Sequence, residues 1–406
     1  MSRLKQYRDL DVLTAARQRM AWTFDHFERI CVSFSGGKDS TVMLHLAVEE
    51  AKKRHRKIGV LFIDLEAQYA LTIQHVAALL TEYATWLEVY WVCLPMKLRN
   101  AVSNYEPVWC AWQPERQSDW VRPLPASPGV ITDPKAFPFF QPWMEFEEFV
   151  VLFGEWYAQG VPTASLIGIR CDESLNRFRT IAVWEKEMFD GQRFTTRITE
   201  HNYNVYPLYD WRTSDLWVYH ARHPQHRSNP IYDRMHLAGV PPSQMRLCQP
   251  YGDDQKKGLW LYSLLEPQTW GRVVARVNGA NSGALYIEES GNVTGYRVIT
   301  KPPQHTWKSF CQLLLATMPA VTRDHYVERF RGWMRGWQAR GYHAGIPDEA
   351  PRCLEKKYWA PSWRRLCKVL LRNDWWCKGL GLTQPKSQAY ADYLAMRKLA
   401  KETAHA

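Results

Sequence analysis

A glycine- and serine-rich hexapeptide, SGGKDS, carries the strongest chemical signal in this sequence of 406 residues. Gly36 and Gly37 lack the Cβ atoms that would hold a phosphate away from the backbone, so successive N–H groups can form an anion-binding nest. Lys38 adds a mobile positive charge, and the hydroxyls of Ser35 and Ser40 can donate hydrogen bonds to phosphate oxygens. The pattern predicts a loop that binds the phosphates of a nucleotide.

Asp39 has two possible roles in this loop, and the sequence leaves both open. Its carboxylate can cap the helix that begins nearby, or it can hold a Mg²⁺ ion that bridges phosphates. The loop is not a Walker A motif, which would place glycine at position 32 and serine or threonine at position 39, where this chain has Val32 and Asp39. The remaining alternative is a glycine turn that only joins a strand to a helix.

The elements around this loop follow the order of a parallel α/β sheet. Buried apolar runs alternate with amphipathic stretches, and such β-α-β-α-β order is typical of right-handed crossovers. The predicted fold class is therefore α/β, with a doubly wound, mainly parallel sheet. The predicted elements are helices at 9–28, 39–53, 71–83 and 146–159, and strands at 30–34, 58–63, 87–94 and 164–169.

Composition divides the chain into three predicted regions. Residues 1–265 form a nucleotide-binding domain, interrupted at 95–143 by a proline- and tryptophan-rich stretch that we expect to be an ordered insertion. Residues 266–300 are expected to form a β-hairpin connector, because turn signals separate short β-rich runs there. Residues 301–406 are predicted to form a helical, basic and tryptophan-rich C-terminal domain.

Positive charge is concentrated in this C-terminal region. The chain has a formal net charge of +11, and residues 301–406, with 19 Lys and Arg against 8 Asp and Glu, account for all of it. Cationic residues alternate with tryptophan over 323–378, which suits nucleic acid because cations neutralise phosphates while indoles stack on bases. Docking of a protein partner or plain packing of the tryptophans would produce the same composition.

Cysteine spacing and hydropathy exclude several other classes of protein. The nine cysteines are scattered and include no C-x-x-C pair, which argues against a zinc ribbon, a thioredoxin-type motif and a disulfide framework. No apolar run is long enough to span a bilayer, and the first residues lack the apolar core of a secretory signal. We therefore expect a cytoplasmic protein with no membrane partner.

Several segments together resemble the PP-loop ATP pyrophosphatase superfamily, whose fingerprint is SGGxDS or SGGxDT after the first strand. Within that superfamily, the chain is similar to the phosphoadenosine phosphosulfate (PAPS) reductase branch. Residues 245–255 and the long tail resemble the immunoglobulin-binding regulator A group, which is associated with a ParB-like partner protein. Besides the loop, the PAPS reductase likeness rests on IDLEAQY at 63–69, GIRCDESLNR at 168–177, YPLYDWRTSDLWVYH at 206–220 and NPIYD at 229–233.

The resemblance implies that an adenine nucleotide lies at the carboxyl ends of the strands, where the switch-point rule also places ligands. It brings Asp64 near the adenosine or the metal, and it brings the backbone of Gly168 close to the nucleotide. Arg170 and Arg177 would face the phosphates or a second, acidic substrate, because a planar guanidinium suits such oxyanions. The alternative for both arginines is a surface ion pair with the acidic residues at 172–173.

Four further positions match the family pattern. For Trp211, Asp215 and Trp217 we expect structural roles, because a helix capped at 213–214 with two buried indoles explains them. Cys248 lies where relatives keep a cysteine or a small loop that faces the site, so its thiol is either reactive or inert.

The resemblance implies that ATP is cleaved between its α and β phosphates, so that pyrophosphate leaves and an acceptor is adenylylated. Lys38, the loop amides and Mg²⁺ would stabilise the charge on the leaving pyrophosphate. PAPS reductases carry a cysteine in a short C-terminal tail. The tail of this sequence contains no cysteine, so sulfonucleotide reduction is the less favoured alternative. A third reading is a non-catalytic ATP sensor that regulates transcription.

Overall fold

A central sheet organises the structure, a computed structural model that describes residues 9–182, 186–247, 251–252, 259–280, 299–385 and 387–404. Runs of valine, isoleucine and aromatic residues form its strands, because such side chains pack well on a pleated surface. The strands of the described residues are β1 Arg29–Ser33, β2 Ile58–Ile63, β3 Leu87–Val92, β4 Lys97–Arg99, β5 Val108–Cys110, β6 Val130–Ile131, β7 Thr163–Leu166, β8 Thr195–Arg197 and β9 Asn202–Val205.

Seven of these strands form one sheet in the order β6-β3-β2-β1-β7-β9-β8. Every neighbouring pair is parallel except β8 and β9, which are antiparallel. Cys31 at the centre of β1 lies opposite Gly59 on one side and Ser165 on the other. The sheet is built outward from β1, on one side by β2 and β3 and, later in the chain, on the other side by β7 and β9. The prediction of a doubly wound, mainly parallel α/β sheet is confirmed.

Helices cover both faces of this sheet and form most of the C-terminal region. Up to residue 280 they are α1 Val12–His26, α2 Lys38–Lys53, α3 Ala70–Glu82, α4 Phe146–Ala158, α5 Leu175–Ala182, α6 Thr213–Arg222, α7 Ile231–Leu237, α8 Leu259–Leu265 and α9 Pro267–Arg276. Beyond residue 299 they are α10 Trp307–Thr317, α11 Ala320–Gln338, α12 Arg352–Lys356, α13 Trp363–Leu371 and α14 Gln388–Ala404.

The central strands are buried on both faces, as the strands of a doubly covered parallel sheet must be. Val32 and Val60 belong to a large core under α1, α2 and α3. Cys31 and Leu61, one residue away along each strand, belong to a second cluster that packs under α4. Alternate side chains of β1 and β2 thus point to opposite faces, and near-continuous apolar runs result.

The insertion at 95–143 contains three short strands and two 3₁₀ helices. Strands β4 and β5 pair with each other in an antiparallel ladder, and β6 joins the main sheet beside β3 as an edge strand. Trp109, Trp112 and Phe137 are buried. These large aromatic side chains supply the apolar area that fixes a segment with little regular structure.

The prediction of a β-hairpin connector from residue 266 is wrong for the residues at its start. Residues 267–276 form helix α9, which begins with Pro267 in its first turn, a position where proline favours a helix. Val273 and Arg276, three residues apart, are buried against the first domain, so contacts at helical spacing override the local β-rich composition. The remainder of the predicted hairpin, at 281–298, lies outside the described residues.

The C-terminal region is helical, as predicted, and has a hydrophobic core of its own. Trp333 and Trp337 on α11 are each only 7% exposed and pack against α10 and α13. These two indoles are therefore core residues rather than platforms for bases. Across the described residues, no helix combines the length and the apolar character that crossing a bilayer requires.

Candidate functional site

The loop between β1 and α2 is closed on itself by Ser40. The Ser40 Oγ accepts a hydrogen bond from the N–H of Ser35 at 3.2 Å and donates to the carbonyl oxygen of Gly37 at 3.1 Å. Ser40 is buried, so its hydroxyl holds the loop in shape, whereas Ser35 is exposed at the mouth of the loop. Gly37 is the N-cap of α2 and, as a glycine, supplies no side-chain cap of its own. The positive end of the α2 dipole lies at this mouth, where it favours an anion.

Gly36 is required by close packing as well as by backbone conformation. Its φ of +71° lies in the left-handed region, and an added Cβ would lie 2.9 Å from the side chains of Thr72 and Val76 on α3. The buried Asn229 donates its Nδ2 hydrogens to the Gly36 carbonyl oxygen at 2.9 Å and to Thr72 Oγ1 at 3.0 Å. At this position the missing side chain therefore lets the loop pack against α3.

Lys38, Asp39 and Arg170 form one ion-paired group at the start of α2. The Lys38 Nζ lies 3.3 Å from Asp39 Oδ2, and the Arg170 guanidinium donates to the other oxygen of the same carboxylate. Lys38 is 7% exposed and Arg170 is 2% exposed, so their charges act with little screening by water. The Arg170 guanidinium also lies 3.7 Å from Glu173 and 3.9 Å from Asp172, the acidic residues considered as its alternative partners, so Asp39 is the nearest of three carboxylates around it.

The predicted role of Asp39 as a metal ligand gains no support from this geometry, because both of its oxygens face cations. Within the described residues, no group of three or more His, Cys, Asp or Glu side chains could hold a metal ion. A Mg²⁺ ion in this loop would be held mainly by phosphate oxygens and water, as it usually is at nucleotide sites.

Residues 229–247, which we call the covering segment, lie over the loop. The hydroxyl oxygen of Tyr232 accepts a hydrogen bond from the backbone N–H of Lys38 at 3.0 Å. The carbonyl oxygen of Met245 accepts one from the Lys38 ammonium, also at 3.0 Å. These two oxygens satisfy donors that a phosphate would use. Sequence reasoning assigned neither residue a role, although NPIYD at 229–233 was among the matched segments.

Gly168 lies against the start of α2, next to the loop, whereas Arg177 does not join the ion-paired group. An added Cβ on Gly168 would lie 3.2 Å from the backbone nitrogen of Ser40, so glycine lets the segment after β7 approach the start of α2. The Arg177 guanidinium pairs with Glu173 at 2.9 Å, and its side chain is 48% exposed. For Arg177, the surface ion pair considered as an alternative is the arrangement that the structure shows.

Asp64 lies at the end of β2 as predicted, but its carboxylate is occupied by the protein. It accepts hydrogen bonds from Trp91 Nε1 at 2.9 Å and from the N–H of Glu66 at 3.0 Å. It also pairs with Arg122 of the insertion, and Asp64 is only 1% exposed. This side chain therefore joins β2, β3 and the insertion, and the predicted contact with adenosine or metal receives no support.

The expected structural roles of Trp211 and Asp215 agree with the structure. Trp211 is buried and donates its Nε1 hydrogen to the carbonyl oxygen of Val12 at 3.0 Å. Asp215 accepts a hydrogen bond from the N–H of Arg212 at 2.7 Å, so the N-cap of α6 is Arg212 rather than residue 213 or 214. Cys248 lies outside the described residues.

Helix α6 also carries two side chains with buried polar atoms, and one of them, Trp217, packs against the covering segment. The Nε1 atom of Trp217 and both ring nitrogens of His220 are inaccessible to water and have no hydrogen-bond partner. The Trp217 and Tyr232 rings lie 5.5 Å apart. Burial lowers the pKa of His220 to about 4, against a smaller opposing effect of Asp39. Buried polar atoms without partners are rare, and these are suited to hydrogen-bond a ligand in the site.

Two protein-family models match separate parts of this chain. The phosphoadenosine phosphosulfate reductase domain matches residues 29–119, which include the loop. A domain of unknown function, DUF3440, matches residues 239–359, which begin inside the covering segment. Among curated proteins, the uncharacterized protein YbdN of Escherichia coli strain K12 is 44% identical over 387 residues, or 95% of this chain and 93% of that protein.

Several solved structures are similar at low identity. PAPS reductase from Candida auris is 14% identical with a TM-score of 0.32, covering 56% of this chain and 94% of that one. Candida glabrata FMN adenylyltransferase is 15% identical with a TM-score of 0.32, covering 56% of this chain and 65% of that one. The U34-tRNA thiolase NcsA from Methanococcus maripaludis is 11% identical with a TM-score of 0.29, covering 72% of this chain and 88% of that one.

Proposed function

We propose that this chain, which belongs to the same protein family as YbdN of Escherichia coli, binds ATP at the Ser35–Ser40 loop and cleaves it to AMP and pyrophosphate. An acceptor oxygen attacks the α-phosphorus, the bond between this phosphorus and the bridging oxygen breaks, and pyrophosphate leaves. The acceptor becomes adenylylated, and water in its place gives AMP. Mg²⁺ would neutralise phosphate charge when it is bound with the nucleotide.

The observation that carries this proposal is the convergence of three positive groups on the exposed mouth of the loop. These are the N-terminus of α2, Lys38 and Arg170. Charge builds up on the leaving pyrophosphate, and preorganised donors in a site with little water stabilise such charge strongly. The match of the PAPS reductase domain to residues 29–119 supports a nucleotide as the ligand.

Each of these residues would have a separate task in the proposed reaction. Lys38 would contact the departing phosphates, while Arg170 would keep the adjoining Asp39 carboxylate neutralised so that it does not repel them. Tyr232 and Met245 would have to give up their hydrogen bonds to Lys38 when a phosphate takes their place. His220, which is neutral at pH 7, would donate or accept a hydrogen bond at the same place.

The test is to incubate the full chain with Mg²⁺ and α-labelled ATP and to separate the products by chromatography. We expect AMP and pyrophosphate from the wild type. Lys38→Ala should lower the turnover by about 10²–10³-fold, which is typical of removing one donor to a developing negative charge. Lys52→Ala is the matched control, because Lys52 is exposed near the other end of α2 and should leave turnover unchanged.

The outcome of that experiment separates the remaining hypotheses. Equal turnover in Lys38→Ala and the wild type would refute the assignment of the loop. Binding of PAPS with no binding of ATP would favour a sulfonucleotide ligand, for which the partly exposed Cys171 beside Arg170 is the candidate thiol within the described residues. Cys110 and Cys377 are buried, and burial raises each pKa to about 12, so neither is a ready nucleophile.

A second candidate function is an ATP sensor that regulates transcription, and the contacts of Tyr232 and Met245 with Lys38 favour it. A nucleotide that displaces these oxygens would move the covering segment, and that movement could be transmitted to a partner. The partner that we propose to test is a ParB-like protein, on the basis of the resemblance to the immunoglobulin-binding regulator A group inferred from the sequence alone. Bound but intact ATP in the same experiment would support this function.

A further inference from the structure

The C-terminal region contains a cleft of about 290 Å³ between α12, α13 and the turn that follows α13. This volume is near the low end of the roughly 300–1,000 Å³ usual for ligand pockets, so the cleft accommodates a small unit of a ligand. Two carboxylates line it, those of Glu355 and Asp374. Five cationic side chains also line it, and they are those of Arg352, Lys356, Arg365, Lys368 and Arg372.

Both carboxylates in the cleft are engaged by the protein itself. Glu355 lies 3.1 Å from the Arg364 guanidinium, and its side chain is 4% exposed. Asp374 accepts hydrogen bonds from the backbone N–H groups of Lys378 at 3.1 Å and Gly379 at 2.7 Å. Lys368, one of the five cations, lies 3.6 Å from Glu355 and helps Arg364 to offset its charge. The remaining four cations of the cleft outnumber Asp374, which keeps its negative charge.

The cations have two different positions. Arg365 is 4% exposed and donates to the carbonyl oxygens of Ala360 at 2.8 Å and Gly379 at 3.0 Å, so it builds the wall of the cleft. Arg352 and Lys356, on α12, are exposed at the rim. An excess of cations around a concave surface raises the local concentration of anionic ligands.

One exposed aromatic side chain lines the cleft, and a second follows it directly in the chain. Tyr358 lines it and is 50% exposed, and the next residue, Trp359, is 64% exposed. The Lys357 ammonium lies 4.6 Å from the centroid of the Trp359 ring. Trp333 and Trp337 are each 7% exposed and belong to the core, whereas most of the Trp359 indole is in contact with water.

We propose that this cleft binds single-stranded nucleic acid, with a backbone phosphate among its cations and a neighbouring base stacked on Trp359. The cations supply the attraction to phosphate that dominates nucleic-acid affinity, and an exposed indole offers the stacking that unpaired bases require. In a duplex the bases are already stacked on one another. The cleft lies on the C-terminal region, which has its own hydrophobic core. The proposed binding therefore does not depend on the proposed reaction at the loop.

The test measures fluorescence anisotropy of a labelled oligothymidylate of about 12 nucleotides with the full chain, over a range of salt concentrations. The double variant Arg352→Glu/Lys356→Glu should weaken binding by at least about tenfold and reduce its salt dependence. Trp359→Ala should weaken it by about fivefold or more. The matched control is Arg331→Glu/Arg335→Glu, because both arginines are exposed on α11, outside the cleft, and the change in charge is the same.

We expect the control variant to stay within about twofold of the wild type and circular dichroism to show all variants folded. Equal weakening by the control and the cleft variants would overturn the proposal in favour of a diffuse basic surface. Tighter binding of a duplex than of the single strand, with the affinity of Trp359→Ala equal to that of the wild type, would overturn it in favour of a site for double-stranded nucleic acid. Absence of binding at low salt would exclude nucleic acid altogether.

Discussion

At the scale of single residues, buried charge and buried neutral histidine surround the loop. Arg170 and Lys38 both pair with the Asp39 carboxylate, and both cations are buried, so water screens these interactions only weakly. His45 and His75 pack behind it on α2 and α3 and are 1% and 5% exposed. Burial lowers the pKa of His45 to about 3 and of His75 to about 4, so both imidazoles are neutral at pH 7.

This burial predicts a loss of stability in mild acid. The unfolded chain protonates His75 from about pH 6.5 downward, whereas the folded protein protonates it only near pH 4. The free energy of unfolding that neutral His75 contributes is therefore complete above about pH 6.5 and declines as the pH falls toward 4. We expect the free energy of unfolding to fall by about 2 kcal/mol per buried histidine between pH 7 and pH 5, measured by urea denaturation.

The variant His75→Gln isolates this effect. It should reduce the difference in unfolding free energy between pH 7 and pH 5 by about 2 kcal/mol. His55→Gln, at an exposed position just after α2, is the control and should leave that difference unchanged. An identical pH dependence in His75→Gln and the wild type would show that His75 is not held neutral by burial.

At the scale of elements, α3 is capped by a residue that is distant in the sequence. Its N-cap, Tyr69, makes no side-chain capping bond. Instead, the Glu266 carboxylate accepts hydrogen bonds from the N–H groups of Ala70 at 2.8 Å and Leu71 at 3.1 Å. A carboxylate at this end also complements the helix dipole. Because Gly36 packs on α3, this cap connects the segment before α9 to the phosphate loop.

Removing this cap should destabilise the protein by a measurable amount. We expect Glu266→Ala to lower the free energy of unfolding by about 1–2 kcal/mol, since two helix N–H groups lose a charged acceptor. Glu145→Ala is the control, because Glu145 is the N-cap of α4 but makes no capping bond there, and its cost should stay below about 0.5 kcal/mol. If chemical denaturation shows that Glu266→Ala and Glu145→Ala lower the free energy of unfolding equally, the capping role of Glu266 is contradicted.

At the scale of the whole molecule, the large core under α1, α2 and α3 and the core of the C-terminal region are separate, and polar contacts are among those that join the two regions. The large core continues as far as Ala280, whereas the core of the C-terminal region runs from Trp307 to Leu380. Asn373 of the second region donates to the carbonyl oxygen of Ala101 at 3.0 Å. The DUF3440 match at 239–359 therefore spans parts of both cores. We accordingly propose that the first domain ends near residue 280 rather than at 265.

Two fragments test this boundary. Arg276 on α9 is 1% exposed and pairs at 3.0 Å with Glu66, whose side chain is fully buried, so a fragment 1–265 leaves that carboxylate unpaired. Removing one partner of a buried pair costs about 3–5 kcal/mol, a large part of a typical total stability. We expect fragment 1–280 to unfold cooperatively by circular dichroism and 1–265 to be unfolded or aggregated. Equal melting temperatures would place the boundary before α9.

Local patterns in the sequence were sufficient to predict the framework of this protein. The strands predicted at 58–63 and 87–94 correspond to β2 and β3 within two residues, and the helix predicted at 39–53 is α2. Burial on both faces demands runs of apolar residues, and such runs are visible without any tertiary information. The SGGKDS loop was identified for the same reason, since its conformation and its donors lie within six consecutive residues.

Tertiary structure alone decided which side chains meet at the loop. Arg170 contacts Asp39 across 131 residues, and Tyr232 reaches Lys38 across 194 residues. Asp64 was predicted at the ligand, but the insertion supplies Arg122 and occupies it. Periodicity reports whether a side chain is buried, whereas its partner depends on how distant segments pack. The sequence therefore determined the sheet and the loop, and packing of the insertion and the covering segment determined the site around them.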